Sequence, residues 1–486
     1  MLVGRKSEKT ILSEFLDSNQ AEFLAVYGRR RVGKTFLIRE FFSNKKCVFF
    51  NTTGMRAGTR SEQIAHFMDE VGRVFYQGAA LETVKTWNAA FNILTKALSG
   101  INKNKKIVLF LDEFPWMATR KSRLLENLEY YWNQHWSNQK NIKLIICGSS
   151  ASWIINKIIN NKGGLHNRVT TRILLEPFCL SETRDFLISK GISLNHQQIL
   201  QLYMSFGGIP FYLNQVKKGL SAAQNIDKLC FRREGLLFNE FENLFASLFQ
   251  NEDLYIQVIR LIAKHQYGLG QEELFNKLDK NIKGKLGIQI LKDLEDSGFI
   301  MNFKPYFNKK RGIYYKVIDE YTIFYLTWIE PIKNTLLARS LAGGFFENRQ
   351  NSPVWHAWAG LAFESLCYKH IAQIQEALEL RVSAIPSTWR HVPKKDSQEQ
   401  GAQIDLLFDR EDDAITLCEI KYTESPFLID KSYAESLKQK ISVFKNITQT
   451  EKQIFLIFIS ANGLKKNAYS EELVSKVLNL DVLFNV

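Results

Sequence analysis

At 486 residues with 45% hydrophobic side chains, the chain is too long for one core and too apolar to stay disordered, so roughly two to four globular domains are expected. A formal net charge of +14 points to an anionic partner, nucleic acid first and an acidic membrane surface second. Six cysteines without CxxC spacing read as reduced core residues. Early charges at Arg5, Lys6, Glu8 and Lys9, with only strand-sized apolar runs beyond, argue against a signal peptide or membrane span. A cytoplasmic protein with no membrane partner is the expectation.

From residue 1 to about 180, apolar runs at 22–27, 47–52, 107–111 and 143–147 alternate with helix-length amphipathic segments. That pattern predicts an α/β layer with a parallel sheet. The first strand runs directly into Gly28, Arg29, Arg30, Arg31, Val32, Gly33, Lys34 and Thr35, a complete phosphate-binding loop ahead of a helix. Glycines let backbone N–H groups close around phosphate oxygens, Lys34 reaches the terminal phosphates, and Thr35 offers a hydroxyl to Mg²⁺. The expected ligands are ATP and Mg²⁺, ATP being chosen over GTP from the resemblance described below.

The strand at 107–111 ends in Asp112 and Glu113, where a metal ligand and a general base for water would sit. Two acids capping the next helix, which Pro115 favours, is the competing reading. The strand at 143–147 ends in Gly148-Ser149-Ser150, and Ser149 is the candidate γ-phosphate sensor; helix capping explains it equally well. Arg168, just before the strand 173–175, is placed to stabilise transition-state charge in its own chain or in a second copy, or else is a surface arginine. Residues 180–245 read as a helical lid interrupted by Gly207-Gly-Ile-Pro210, completing a P-loop ATPase over 1–245.

Three helices at 253–265, 271–278 and 284–297, then two short strands around a basic turn at Lys309-Lys-Arg-Gly312, describe a winged helix-turn-helix domain over 246–335. Its third helix carries Lys283, Lys285, Gln289 and Lys292 toward a DNA groove, although such domains also serve as spacers. A linker is expected at Ala342-Gly-Gly344 together with Asn348 to Pro353. The domain 336–486 reads as mixed α/β, with helices from Trp355 to Ile371, near 434–445 and near 468–478, and strands at 387–392, 403–408, 414–422 and 453–459. The strands at 403–408 and 414–422 flank an acidic turn and predict a hairpin that brings Asp405 and Glu419 together, with Lys421 on the same face as Glu419. Those residues suit metal-dependent phosphodiester cleavage, with Glu364 as a further metal ligand and the Ile420 carbonyl as another; a solvated salt bridge explains them as cheaply. The basic stretch Thr388 to Lys395 would lie along a phosphate backbone or form a solvated edge.

The opening Leu2-Val-Gly-Arg-Lys-Ser-Glu8, the loop Tyr27 to Thr35, Leu111-Asp-Glu-Phe-Pro-Trp116, Gly148-Ser-Ser150, Glu176-Pro-Phe178 and Gly207-Gly-Ile-Pro210 together resemble the prokaryotic, archaeal-type AAA ATPases, close to the STAND signalling ATPases. The version resembled is fused to a C-terminal nuclease-like domain. The resemblance implies that Gly4 and Arg5 pack against the nucleotide, that Pro210 senses it, and that Arg168 contributes to the site, although Asn167 stands where the family usually has glycine. The spacing of Asp405, Glu419 and Lys421 resembles the PD-(D/E)xK nuclease superfamily, of restriction-endonuclease-like fold. The implied function is a Mg²⁺-dependent ATPase acting on DNA, with self-association as a further expectation. The competing reading is an ATP-driven regulatory switch with an inactive nuclease-like domain.

Overall fold

Apolar strands that are buried along their whole length require cover on both faces, and β3 (Ile107–Asp112) and β4 (Ile142–Cys147) are buried at every residue. With β1 (Glu22–Tyr27), β2 (Val48–Thr53) and β5 (Thr171–Leu174) they form a parallel sheet of order β2-β3-β4-β1-β5 in the computed structural model. Residues 2–119, 121–160, 163, 165, 167–278, 282–307, 312–338, 344–350, 352–381, 383–393 and 400–485 are described. The chain divides into two units, Met1–Pro177 with Asp296–Gly298, and Phe178–Glu295 with Phe299–Val486.

In the first unit, α1 (Lys6–Asp17) precedes β1, and α2 (Lys34–Ser43) follows it. Helix α3 (Arg60–Phe75) starts with a capping box in which the Thr59 hydroxyl and Glu62 carboxylate each accept a backbone N–H, and α4 (Trp87–Ser99) starts on the Thr86 side chain. The Phe67 ring of α3 packs edge-on against Phe50 of β2 at 5.3 Å and against Trp87 and Phe91 of α4. This aromatic packing anchors one face of the sheet. The carboxyl ends of β1, β3 and β4 lie side by side, so Gly28, Glu113 and Gly148 emerge at one edge, where ligands of open parallel sheets bind.

The second unit begins with α5 (Leu180–Ser189) and α6 (His196–Phe206), as the helical reading of 180–245 anticipates. After further helical segments, the last of them Glu240–Leu248, come α7 (Glu252–Ala263), β6 (Leu269–Gly270), α8 (Gln271–Lys277), α9 (Lys285–Asp296), β7 (Ile300–Phe303) and β8 (Tyr314–Val317). The three short strands pair antiparallel in the order β6-β8-β7. The three helices and the hairpin match the expected order, while β6 is an addition too short to leave an alternation signal. The basic turn residues Lys309, Lys310 and Arg311, linker residues Ala342 and Gly343, and Lys394 and Lys395 lie outside the described residues.

Farther along are α10 (Pro353–Lys369), β9 (Ile385–His391), β10 (Ala402–Asp409), β11 (Ala414–Lys421), α11 (Lys431–Thr448), β12 (Gln453–Ser460), α12 (Ala468–Leu473) and β13 (Lys476–Asn479). Their sheet has the order β13-β12-β11-β10-β9 and is mixed: β9-β10-β11 are antiparallel, and β12 runs parallel to both β11 and β13. The helix expected over 468–478 stops at Leu473. Pairing of Val477 with Phe458 and of Leu478 with Ile459 turns the rest of that segment into an edge strand.

Candidate functional site

The loop after β1 holds conformations that its sequence must permit. Gly28 has φ 134° and a Cβ there would stand 2.4 Å from the Leu175 carbonyl oxygen, so only glycine fits. Gly33 has φ 93° and opens onto free space at the start of α2, which leaves room for phosphate beside the helix N-terminus. Arg31, also left-handed at φ 71°, turns the chain between them. Arg29 and Val32 are buried, and Arg30 is half-buried. Lys34 is 5% exposed and its ammonium donates to the carbonyls of Gly28 at 2.9 Å and Arg29 at 2.8 Å. Burial lowers its pKa, and the charges of Glu113 and Asp112 oppose that shift. Arg5, left-handed like Gly4, is 4% exposed and donates to the Val32 carbonyl at 3.3 Å. The opening Gly4-Arg5 therefore packs against the loop.

Thr35 and Asp112 meet across the sheet edge, the Thr35 hydroxyl donating to the Asp112 carboxylate at 2.9 and 3.1 Å. Burial raises the Asp112 pKa, and the Thr35 bond opposes it. Glu113, at φ 45°, accepts the Ser149 hydroxyl at 2.6 Å and the Ser149 N–H at 3.1 Å. Neither residue's side chain is spent on a helix: Glu113 makes no capping bond to the helix Phe114–Met117, and the helix Ala151–Ile154 is preceded by Ser150, not Ser149. Gly148 is needed where it stands because a Cβ would lie 2.6 Å from the Pro115 ring. Oxygen donors from Thr35 and Asp112 side by side suit a hard cation such as Mg²⁺.

Arg168 is exposed, and parallel pairing locates it: Thr170 donates its N–H to Phe23 near the start of β1. The phosphate loop begins beyond the other end of that strand, roughly 20 Å away at about 3.3 Å per residue. A role for Arg168 beside the nucleotide of its own chain does not fit this topology. Pro210 is the first residue of a short helix, Pro210–Leu213, in the second unit.

In the C-terminal sheet, the register Leu406↔Cys418 sets Asp405 opposite Glu419, and an Asp405 oxygen accepts the Ile420 N–H at 3.2 Å. Glu419 is buried with both oxygens engaged: one accepts Tyr433 at 2.6 Å and faces Lys421 at 3.0 Å, and the other pairs with Lys440. Burial alone would raise the Glu419 pKa, but Lys440 and Lys421 outweigh it and hold the carboxylate ionised. Asp405 is shifted the other way, upward, by burial and by the neighbouring Glu419 charge. Glu364 on α10 is pushed up to about 7 by burial and then by Asp405, while Lys316 of β8 and Lys421 oppose the shift. The sequence thus identified Asp405, Glu419, Lys421 and Glu364 as neighbours. It missed Tyr433 and Lys440, whose seven-residue spacing on α11 puts them on one helix face, and Lys316, for which no local signal exists.

These acids do not form a metal centre as they stand. Two ammonium groups and a phenol occupy Glu419, and no group of three or more His, Cys, Asp or Glu side chains capable of holding a metal occurs among the described residues. Among the same residues, no helix is long and apolar enough to cross a membrane.

Residues 2–216 match the family described as an ATPase domain predominantly from Archaea. The chain is 26% identical over 436 residues to an uncharacterised protein of Methanocaldococcus jannaschii, covering 87% of this chain and 88% of that protein. It is 50% identical over 46 residues, 10% of this chain and 78% of the other, to an uncharacterised ATP-binding protein of the same organism. Among solved structures, a Walker-type ATPase of Pyrococcus abyssi aligns with TM-score 0.47 and 17% identity over 67% of this chain and 96% of that one. The ORC2 protein of Aeropyrum pernix, in ADPNP–ADP complexes, aligns with TM-score 0.44 and 13% identity over 70% and 96%.

Proposed function

We propose, from the match of residues 2–216 to ATPase domains found predominantly in Archaea, that the chain is a Mg²⁺-dependent ATP hydrolase working on DNA. One observation carries the reading: Thr35 bonded to Asp112, and Ser149 bonded to Glu113, converge on the sheet edge that bears the phosphate loop. The N–H groups of the loop and Lys34 would hold the β- and γ-phosphates. Thr35 and Asp112 would hold Mg²⁺, whose charge offsets that of the phosphates. Glu113 would take a proton from the water whose oxygen attacks the γ-phosphorus as the bond to the β–γ bridging oxygen breaks, yielding ADP and phosphate. Ser149 orients Glu113 for that step. Arg168, on the far edge of its own sheet, would serve a second copy's nucleotide.

DNA is the proposed partner because of the charge of +14 and because α9, the third helix of the winged-helix module, exposes Lys285, Gln289 and Lys292. The mixed sheet carrying Asp405, Glu419 and Lys421 is read as nuclease-like in layout, and no cleavage step is assigned to it. The second reading, an ATP-driven switch with an inactive nuclease-like domain, is favoured by one fact: Lys440 and Lys421 both neutralise Glu419.

Assaying ATP turnover and strand cleavage together on linear, branched and single-stranded DNA tests the proposal. Expected are Mg²⁺-dependent turnover, stimulation by DNA, and loss of turnover in Lys34→Ala. Absence of turnover overturns the hydrolase reading. Turnover without DNA binding at moderate salt favours the switch, and cleavage lost in Asp405→Ala with Glu419→Ala would establish an active nuclease.

A further inference from the structure

The second unit contains a cavity of about 830 Å³ that hydrolysis of ATP does not use. Its size falls within the range of ligand pockets, roughly 300–1,000 Å³. One side comes from the winged-helix module, through the turn before β6 and the β7–β8 hairpin; the other comes from α10, β9 and β10. The Tyr306 N–H donates to the Thr388 carbonyl at 2.8 Å, and the Tyr306 ring stacks on Phe444 of α11 at 5.9 Å. These contacts join the two sides.

The lining combines three chemistries. Tyr267, Phe303, Tyr314 and Trp389 supply aromatic rings, Arg390 and Lys316 supply cations, and Glu364 and Asp405 supply carboxylates. Arg390 holds its guanidinium 4.4 Å from the centre of the Tyr267 ring, and Tyr267 is 43% exposed. A flat cation on a flat ring is a surface on which a nucleobase stacks. Paired bases hide their faces within the duplex stack, whereas an unpaired base offers one. An uncharged aliphatic ligand would leave the guanidinium unused. Lys316 stands 5.8 Å from the Tyr368 ring, and the charges of Glu364 and Asp405 act on it.

We infer that this cavity binds one unpaired nucleotide, its base against the aromatic wall of Tyr267, Phe303 and Tyr314 and its phosphate drawn by Arg390 and Lys316. The inference rests on the DNA-binding reading and narrows it: the winged-helix module would supply one wall of the site beside Asp405 as well as a helix for duplex. The same chemistry is presented by a nucleotide within a single strand and by a free mononucleotide.

The test uses the full chain in EDTA and a thymidine oligonucleotide carrying one 2-aminopurine, whose fluorescence falls when the base stacks on a ring. Tyr267→Ala and Arg390→Ala alter exposed side chains, and their melting temperatures verify folding. Each is expected to weaken single-strand binding roughly tenfold or more and to relieve the quenching, with duplex affinity unchanged within about twofold. Lys285→Glu with Lys292→Glu should do the reverse. If the cavity variants bind and quench as the parent does while duplex binding persists, the cavity inference fails alone. If neither DNA form binds the parent, the DNA reading falls and takes the inference with it. Displacement of the oligonucleotide by thymidine monophosphate would show that a mononucleotide suffices, and its failure to compete would show that the strand is required; both support the site provided the variants lose binding.

Discussion

Glu113 and Ser149 illustrate what single residues declare and what they withhold. The acid at the end of an apolar strand was legible in the sequence, but its use was not, because helix capping demands the same residue types at the same place. The bonds from Ser149 to both oxygens of Glu113 commit that carboxylate to the sheet edge. Glu113→Gln is therefore expected to lower ATP turnover by about 100-fold or more while leaving nucleotide affinity near that of the parent. Ser149→Ala should lower it less, since the backbone N–H contact remains; steady-state phosphate release and nucleotide titration measure both. At Glu364 the prediction concerns stability. Its pKa of about 7, raised from 4.5 by burial first and Asp405 second, means that the folded chain holds a proton which the unfolded chain has released. The resulting stabilisation is fully present below about pH 4.5 and is lost as pH rises through about 7. Glu364→Gln cannot ionise, so its melting temperature should exceed the parent's by more at pH 8 than at pH 5, measured calorimetrically in a chelating buffer.

Elements were legible where periodicity was long and uninterrupted. The apolar runs of β1, β3 and β4 and the hairpin of β10 and β11 announce themselves, and the alternation in the hairpin also brought Asp405 to Glu419. Short elements fail this test: β13 is four residues long and continues from a helix, and only its pairing with β12 distinguishes it. The Gly207-Gly208 step shows a different limit. It reads as part of a nucleotide-sensing lid, yet Gly208 is required by packing. The Phe178 N–H donates to its carbonyl at 2.7 Å, and a Cβ on Gly208 would stand 1.8 Å from the Phe178 oxygen. Gly208→Ala is expected to destabilise the second unit by about 1–3 kcal/mol through forced separation of these two backbones. Urea unfolding would register the change, and an unaltered midpoint would show that the segment shifts freely.

At the scale of the whole molecule, the position of Arg168 turns a question about one side chain into one about assembly. Because β5 runs parallel to β1, the residue preceding it emerges at the amino edge of the sheet, while the phosphate loop emerges at the carboxyl edge. No rotamer of an arginine spans that separation, so any contribution to phosphate chemistry must be made to another copy of the chain. If Arg168 acts in that way, turnover should rise more steeply than linearly with protein concentration at low concentration, because a lone chain would lack the arginine at its own site. A mixing experiment separates this from an ordinary loss of activity. Arg168→Ala retains an intact loop and acid pair, whereas Lys34→Ala retains Arg168 but loses the ammonium that bonds the Gly28 and Arg29 carbonyls and that would hold phosphate. Each is expected to be nearly inactive alone. Combined, they should form mixed assemblies in which Arg168 from the Lys34→Ala chain completes the site of the Arg168→Ala chain, and part of the turnover should return. If the mixture gives no more than the sum of its components while sedimentation shows that the chains associate, Arg168 is a surface residue and its resemblance to the family arginine is one of position alone.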